Sequence, residues 1–266
     1  MSLGVEASGL SAHVRYESQE AVIDALARQS LVRGTPVPVW PARRLPYGMF
    51  VSPVRNGWIS LWSPLENTRD WFPQLTATLE CPGVLLEVVE SQFWIVEFFQ
   101  DGRFLGRMEL PGEAVQWDDL WARTADSLEA EGLEQPWEDE GRFSARMDQI
   151  AASEEYQEDL RQLEEERPQA DSLKPFLPPH ASLEQAWNLL TAMDRADDQE
   201  VGTEEESAYA EDYMDAFAAY LGIRDAAWDP SADAEALSEG DYEDEEGLPD
   251  GWKEFVVLPI PTLPVL

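Results

Sequence analysis

Along residues 12–110, apolar positions recur with a period of about two in some stretches and about four in others. The shorter period is typical of strands, which alternate their side chains between two faces, and the longer one of helices with one apolar face. Helices are predicted near residues 18–30 and 70–80. Strands are predicted at residues 12–17, 35–40, 47–54, 57–63, 83–90, 93–100 and 103–110.

The Asp101-Gly102 pair between the last two strands is the strongest local signal in the chain. A type I′ turn needs positive φ at both central positions, which Asp tolerates and Gly adopts freely. The register predicted from this turn pairs Phe99 with Phe104, Glu97 with Gly106 and Ile95 with Met108. We therefore predict an α+β fold with an antiparallel sheet and both helices on one face, an order compatible with a degenerate β-α-β-β repeat.

Beyond residue 112 the apolar positions predict acidic helices. Their stripes lie within residues 117–128, within residues 143–163 on one acidic helix ended by Pro168, within residues 183–190 and within residues 213–221. Residues 254–258 are a predicted final strand that returns to the sheet. The chain thus divides into a sheet domain, residues 1–112, and an acidic helical region, residues 113–266. Whether the two fold as one unit stays open at this point.

Negative charge is concentrated in the second half of the chain. The sequence has 54 Asp and Glu against 18 Lys and Arg, a net charge of -36. Residues 1–123 hold 15 acids and 10 arginines, whereas residues 124–266 hold 39 acids and 8 basic residues. A protein that binds duplex nucleic acid needs a basic face to neutralise phosphates, so this composition argues against that class of partner. A basic protein is the partner that the charge favours.

The sequence predicts a soluble, cytoplasmic protein. No basic stretch followed by an apolar one resembles a secretory signal, and no apolar run is long enough to cross a bilayer. The single cysteine, Cys81, excludes an intrachain disulfide framework and a Cys-based zinc site. No cofactor and no membrane contact are expected, and the oligomeric state stays open.

Several short stretches together resemble a loose group of uncharacterised bacterial proteins. They are the strand Gly57-Trp58-Ile59-Ser60, the strand pair around residues 90–93 with its Asp101-Gly102 turn, and the later run at residues 217–223. The resemblance implies an α+β fold. It implies no activity, and no functional residue is carried over from it.

Common catalytic and metal-binding arrangements are poorly represented. A hydrolytic triad needs a base, and only His13 and His180 are available, without a recognisable nucleophile turn. Cys81 has no partner in the sequence that would activate a thiol, which favours a structural role. The acidic run at residues 241–252 lacks the Gly at position six and the Glu at position twelve of a calcium loop, with Glu246 and Trp252 there instead. No metal site is predicted.

Glu97 is the one carboxylate that the strand pattern singles out as a catalytic candidate. The predicted register puts it on the same face as Ile95, Phe99 and Met108, where a core is expected. A carboxylate in such a place is either paired, displaced outward by a bulge at Gly106, or raised in pKa and available for acid–base chemistry. The pattern favours a structural role for Glu97 over catalysis, either at the rim of the sheet or in a salt bridge, for which Arg107 is close in register.

Trp58 and Trp62 are a candidate binding surface. They share one face of their strand with Ser60, whereas Ile59 and Leu61 share the other. If the second face alone is covered, the two indoles are exposed and available to a ligand; if helices cover both faces, they belong to the core, which the pattern favours. Most other tryptophans, including Trp71, Trp117, Trp121 and Trp187, lie on apolar helix stripes and are predicted to be buried.

Three functions from different classes remain. The first is a non-enzymatic interaction or regulatory module that docks a basic partner through its acidic helical half, with Glu164, Glu165 and Glu166 as binding residues. The second is a nucleic-acid mimic that occupies a nucleic-acid-binding protein. The third is a carboxylate-based enzyme centred on Glu97. The first function is the preferred hypothesis, because it requires the least specific arrangement of residues.

Overall fold

The computed structural model describes residues 9–29, 48–62, 68–89, 93–197, 210–224 and 253–256. The strands are β1 (Gly9–Arg15), β2 (Gly48–Val51), β3 (Trp58–Trp62), β4 (Pro82–Val89), β5 (Phe93–Gln100), β6 (Arg103–Leu110) and β7 (Lys253–Val256). The helices are α1 (Gln19–Arg28), α2 (Thr68–Leu79), α3 (Gly112–Glu129), α4 (Glu140–Ala151), α5 (Glu154–Glu166), α6 (Leu183–Leu190), α7 (Ala192–Asp197) and α8 (Ala210–Leu221). Two 3-10 turns lie at Pro136–Glu138 and Ala170–Phe176.

The strands form one antiparallel sheet in the order β6-β5-β4-β1-β3-β2-β7. β1 lies inside it, between β4 and β3, and β7 pairs with β2 at one edge. The α+β class and the antiparallel sheet are therefore confirmed. β7 overlaps the predicted strand at residues 254–258, whereas the predicted strand at residues 35–40 lies outside the described residues.

Helices α1 and α2 pack side by side on one face of the sheet, as predicted. The Ser18 hydroxyl starts α1 by accepting a hydrogen bond from the Ala21 amide at 3.2 Å. Leu26 of α1 and Phe72 of α2 are fully buried on this face, in one core with Val14 of β1. The four-residue spacing of the apolar positions produces this arrangement because it keeps them on the sheet side of each helix.

The opposite face is covered by helices from the acidic half of the chain. Phe217 of α8 lies 5.7 Å from Trp94 of β5 between ring centroids, and Phe176 lies 5.1 Å from Phe98. The Arg15 guanidinium ties β1 to this layer by donating to the Pro175 and Leu177 carbonyls, at 3.0 and 2.7 Å. The sheet is thus buried on both faces, and the helical half supplies the second cover.

The β5–β6 hairpin confirms the turn but corrects the register. Asp101 and Gly102 have φ of 52° and 82°, as a type I′ turn requires, and Phe99 pairs with Phe104. A bulge then shifts β6 by one residue, which places Glu97 opposite Arg107 and turns Met108 to the face that α8 covers. The expected pairing of Glu97 with Gly106 was therefore wrong.

The predicted single helix through residues 143–163 is two helices. Helix α4 ends at Ala151. The Ser153 hydroxyl then caps α5 by accepting a hydrogen bond from the Tyr156 amide at 3.2 Å. Tyr156 is buried, and its hydroxyl donates to the Gln116 carbonyl at 2.9 Å. This contact fastens α5 to α3.

Helix α5 ends against β6, which is the edge strand at the opposite end of the sheet from β7. A Cβ atom on Gly106 of β6 would lie 2.7 Å from the Glu166 carbonyl oxygen and 2.8 Å from Pro168. Only glycine permits so close an approach of the α5 terminus, which covers an edge strand that would otherwise be open to pairing. None of the helices in the described ranges is both long and apolar enough to cross a bilayer.

Candidate functional site

Glu97 is buried in an ion-pair network that three elements assemble. Arg69 of α2 donates from Nε to Glu97 Oε1 at 2.6 Å, and Arg107 Nη1 of β6 lies 3.7 Å from the same oxygen. The two guanidinium groups offset part of the cost of burying this carboxylate. The paired alternative for Glu97 is the one observed, although its second partner, Arg69, was not visible in the local sequence.

The network continues to either side of Glu97. Arg69 Nη2 donates to Glu87 Oε2 of β4 at 2.5 Å, and Arg107 also pairs with Glu109. Burial disfavours the charged guanidinium of Arg69, yet hydrogen bonds to Glu87 and Glu97 outweigh this and raise its pKa above the usual value. The five groups form a row of alternating charge that joins α2 to the sheet, an arrangement suited to holding elements together.

His13 lies in the sheet interior between two serines. Its Nδ1 and Nε2 are each 2.9 Å from a hydroxyl, those of Ser60 and Ser11, and the imidazole is fully buried. Burial lowers the pKa of His13 to about 3, so the ring is neutral at ordinary pH. With serine on both ring nitrogens, His13 lacks the orienting carboxylate of a triad, and His180 is exposed in a turn.

We expect His13 to make stability fall in acid. The unfolded imidazole takes up a proton below about pH 6.5, whereas the folded one resists until about pH 3. Proton binding therefore favours the unfolded chain: stability is full above the unfolded pKa and falls as the pH drops through this window. The expected loss from about pH 7.5 to about pH 5 is about 2 kcal/mol from this group.

Urea unfolding of the wild type, His13→Gln and His180→Asn at both pH values tests this effect. Between the two pH values, His13→Gln should lose about 2 kcal/mol less stability than the wild type. This difference does not depend on the stability of the variant at neutral pH. His180→Asn, which replaces an exposed histidine and leaves the buried His13 in place, should follow the wild type. Equal pH dependence in all three proteins would contradict the assignment.

Cys81 is a buried structural thiol. Burial, assisted by the negative charge of Asp101, raises its pKa to about 12. A nucleophilic cysteine needs the opposite shift. The structure therefore agrees with the structural role that the sequence favours.

The Trp58–Trp62 surface is not available for binding. Trp58 is 2% and Trp62 9% exposed, and Trp58 belongs to the core that α8 covers. The Trp58 indole donates to the Leu221 carbonyl at the end of α8, at 2.8 Å. Of the two alternatives for these tryptophans, the core is the one observed, and they are withdrawn as binding residues.

Glu164, Glu165 and Glu166 lie together at the end of α5. Glu164 and Glu165 are exposed and Glu166 is half-buried. A crevice between α3, α5 and β6 is lined by Glu164 and Glu166 and by Arg107 and Arg167. The volume of this crevice is about 60 Å³, well below the roughly 300 Å³ or more of a typical ligand pocket. The acids therefore present a surface rather than a pocket.

Within the described residues, no group of three or more His, Cys, Asp or Glu side chains is placed to hold a metal ion. The acidic run at residues 241–252 lies outside those residues.

An exposed aromatic surface is the feature that the sequence pattern missed. Trp117 was predicted to be buried, but it is 56% exposed, one helical turn before Trp121 on α3. Trp137 is 46% exposed and stacks on Trp121 with 5.9 Å between ring centroids. We call these three residues the indole surface. Local spacing gave no sign of it, because Trp117 has the same periodicity as its buried neighbours and lacks only a covering element.

Comparisons with known proteins add no relative. No protein-family model matches the chain, and neither does a curated protein or a solved structure. The resemblance to uncharacterised bacterial proteins stays a prediction, and the candidate site rests on geometry and charge.

Proposed function

We propose that the protein is a non-enzymatic interaction module that docks a basic partner through its acidic helical half. The proposal rests on the excess of carboxylates over arginines from the start of α3 to the end of α5. Residues 113–167 contain 18 acids and 5 arginines, a net charge of −13 by difference. A surface of this kind attracts basic proteins and accelerates their association.

The arginines of this segment are already engaged within the chain. Arg123 pairs with Asp119 and Asp159, Arg142 and Arg146 pair with Glu131, Arg161 pairs with Glu158, and Arg167 pairs with Asp194. Four of the eighteen acids thus take up four of the five arginines. Most of the negative charge is left for solvent, cations or a partner.

The structure of α5 separates its packing from its charge. Tyr156 holds the helix against α3, whereas Glu164 and Glu165 at the other end are exposed. Like charges one turn apart cost a few tenths of a kcal/mol per pair, so this density of acids does not serve stability. A basic partner would relieve the repulsion.

Charge reversal at α5 tests the proposal. Glu164→Lys, Glu165→Lys and Glu166→Lys in one chain should abolish capture of basic proteins from a cell extract at low salt, identified by mass. The matched control reverses three exposed acids elsewhere, Glu17, Asp24 and Glu80, for the same change in net charge. It should capture the wild-type set, because the local acids and not the total charge bind the partner.

The thermal midpoint of the α5 variant should stay level or rise, since it removes repulsion. Moderate salt should release the captured proteins by screening. The proposal fails if the wild type captures no basic protein at low salt, or if the α5 variant captures the same set.

A further inference from the structure

The indole surface presents more aromatic area to solvent than packing accounts for. Trp121 contacts Phe143 of α4 at 5.5 Å between ring centroids, and Ala125 and Leu128 complete a small core beneath it. Trp117 and Trp137 lie outside this core with about half of their surface exposed. Exposed tryptophans grouped in this way are typical of protein recognition surfaces.

Acidic residues surround the indole surface. Residues 112–140 contain ten acids and one basic residue, Arg123, which is already paired with Asp119 and Asp159. Asp118, Glu138 and Asp139 are exposed beside Trp117 and Trp137. An occupant must therefore carry positive charge next to groups that can lie on an indole ring.

We propose that the indole surface binds an arginine-bearing segment of a basic partner protein. The proposal rests on the proposed function and specifies how the partner is recognised. A guanidinium group is planar and weakly hydrated, so it stacks on an indole while its edge donates to carboxylates. A lysine ammonium satisfies the acids but stacks less well, which makes arginine the residue that fits both features.

Charge argues against the other occupants. A second copy of the chain carries the same net charge of -36 and is repelled. Residues 198–209 and 225–252 contain 5 and 11 acids, respectively, without a basic residue. Residues 30–47 contain three arginines and no acid, so their charge matches the site. The experiment therefore also includes a variant in which these arginines are replaced.

Calorimetric titration of the full chain with hexa-arginine and with hexa-lysine, at about 150 mM salt, tests the proposal. We expect the wild type to bind hexa-arginine several-fold more tightly than hexa-lysine. The double variant Trp117→Gln and Trp137→Gln should weaken hexa-arginine binding about tenfold and remove the preference, since two stacking contacts are lost. Phe104→Gln, which changes a 45% exposed aromatic residue on β6, is the matched control and should bind as the wild type does.

If the double variant unfolds, the single variant Trp117→Gln replaces it, because Trp117 is the most exposed of the three tryptophans. This variant should lose part of the preference for hexa-arginine over hexa-lysine. Equal binding of hexa-arginine by the wild type and the tryptophan variants overturns this inference but leaves the proposed function intact. Absence of binding to both peptides overturns both. Replacing Arg33, Arg43 and Arg44 by Gln should leave hexa-arginine affinity unchanged; a tenfold gain would identify residues 30–47 as the occupant and overturn the proposal.

Discussion

Replacing Phe217 by Ala is expected to lower the free energy of unfolding by about 3–5 kcal/mol. Phe217 is fully buried on α8, and its ring centroid lies 5.7 Å from that of Trp94 and 6.3 Å from that of Phe98 on β5. Truncation removes apolar contacts with both strand residues and leaves a cavity that rigid neighbours cannot fill. Denaturant titration followed by circular dichroism measures the loss.

The matched control for Phe217→Ala is Phe104→Ala, which removes the same atoms from a residue that is 45% exposed. It should cost about 1 kcal/mol or less, because little burial is lost. Sheet and helices should unfold in one transition in both variants, since Phe217 joins the acidic half to the sheet. A loss below about 1 kcal/mol in Phe217→Ala, or separate transitions, would show that the helical half is an independent unit.

Gly106→Ala is expected to lower the free energy of unfolding by about 2–4 kcal/mol. Gly106 has a φ of 151°, which disfavours any Cβ atom. The added carbon would lie 2.7 Å from the Glu166 carbonyl oxygen and 2.8 Å from the Cα of Pro168. These are backbone atoms, so either the end of α5 moves away from β6 or the bulge is lost.

The variant Gly132→Ala separates the two causes of the loss expected in Gly106→Ala, which are the unfavourable φ and the close contact with backbone atoms of α5 and Pro168. Gly132 also has a positive φ, 92°, but a Cβ there meets no atom within 4 Å. It should cost only the conformational strain, about 1–2 kcal/mol. Equal losses in the two variants, measured by urea unfolding, would contradict a close contact between α5 and β6.

The parts of the fold that were predictable are those that local chemistry determines. The positive φ values at Asp101 and Gly102 follow from the residues themselves, and four-residue spacing placed α1 and α2 on one face. The break between α4 and α5 was missed because the apolar stripe continues across it in sequence. Ser153, a strong capping residue, was the available signal.

The candidate site was less predictable because it depends on contacts distant in sequence. Of the alternatives that the sequence left for Glu97, the structure shows the paired one, but its main partner, Arg69, comes from α2. The one-residue bulge in β6 reversed the face of Met108, since strand faces alternate with each residue. The exposure of Trp117 depends on which elements pack against α3, and the spacing of residues within α3 carries no information about them.

The two-sided cover of the sheet has a consequence for biosynthesis. β5 and β6 leave the ribosome long before α8, the helix that carries Phe217. Residues 111–221 take about 6–22 s to translate at typical rates. During that interval Trp94, Val96 and Phe98 form an apolar sheet face without its native cover, on a chain whose remaining residues have far more acidic than basic side chains. The nascent protein therefore presents a hydrophobic surface to molecular chaperones for several seconds, and the acidic half ends that exposure when α8 docks.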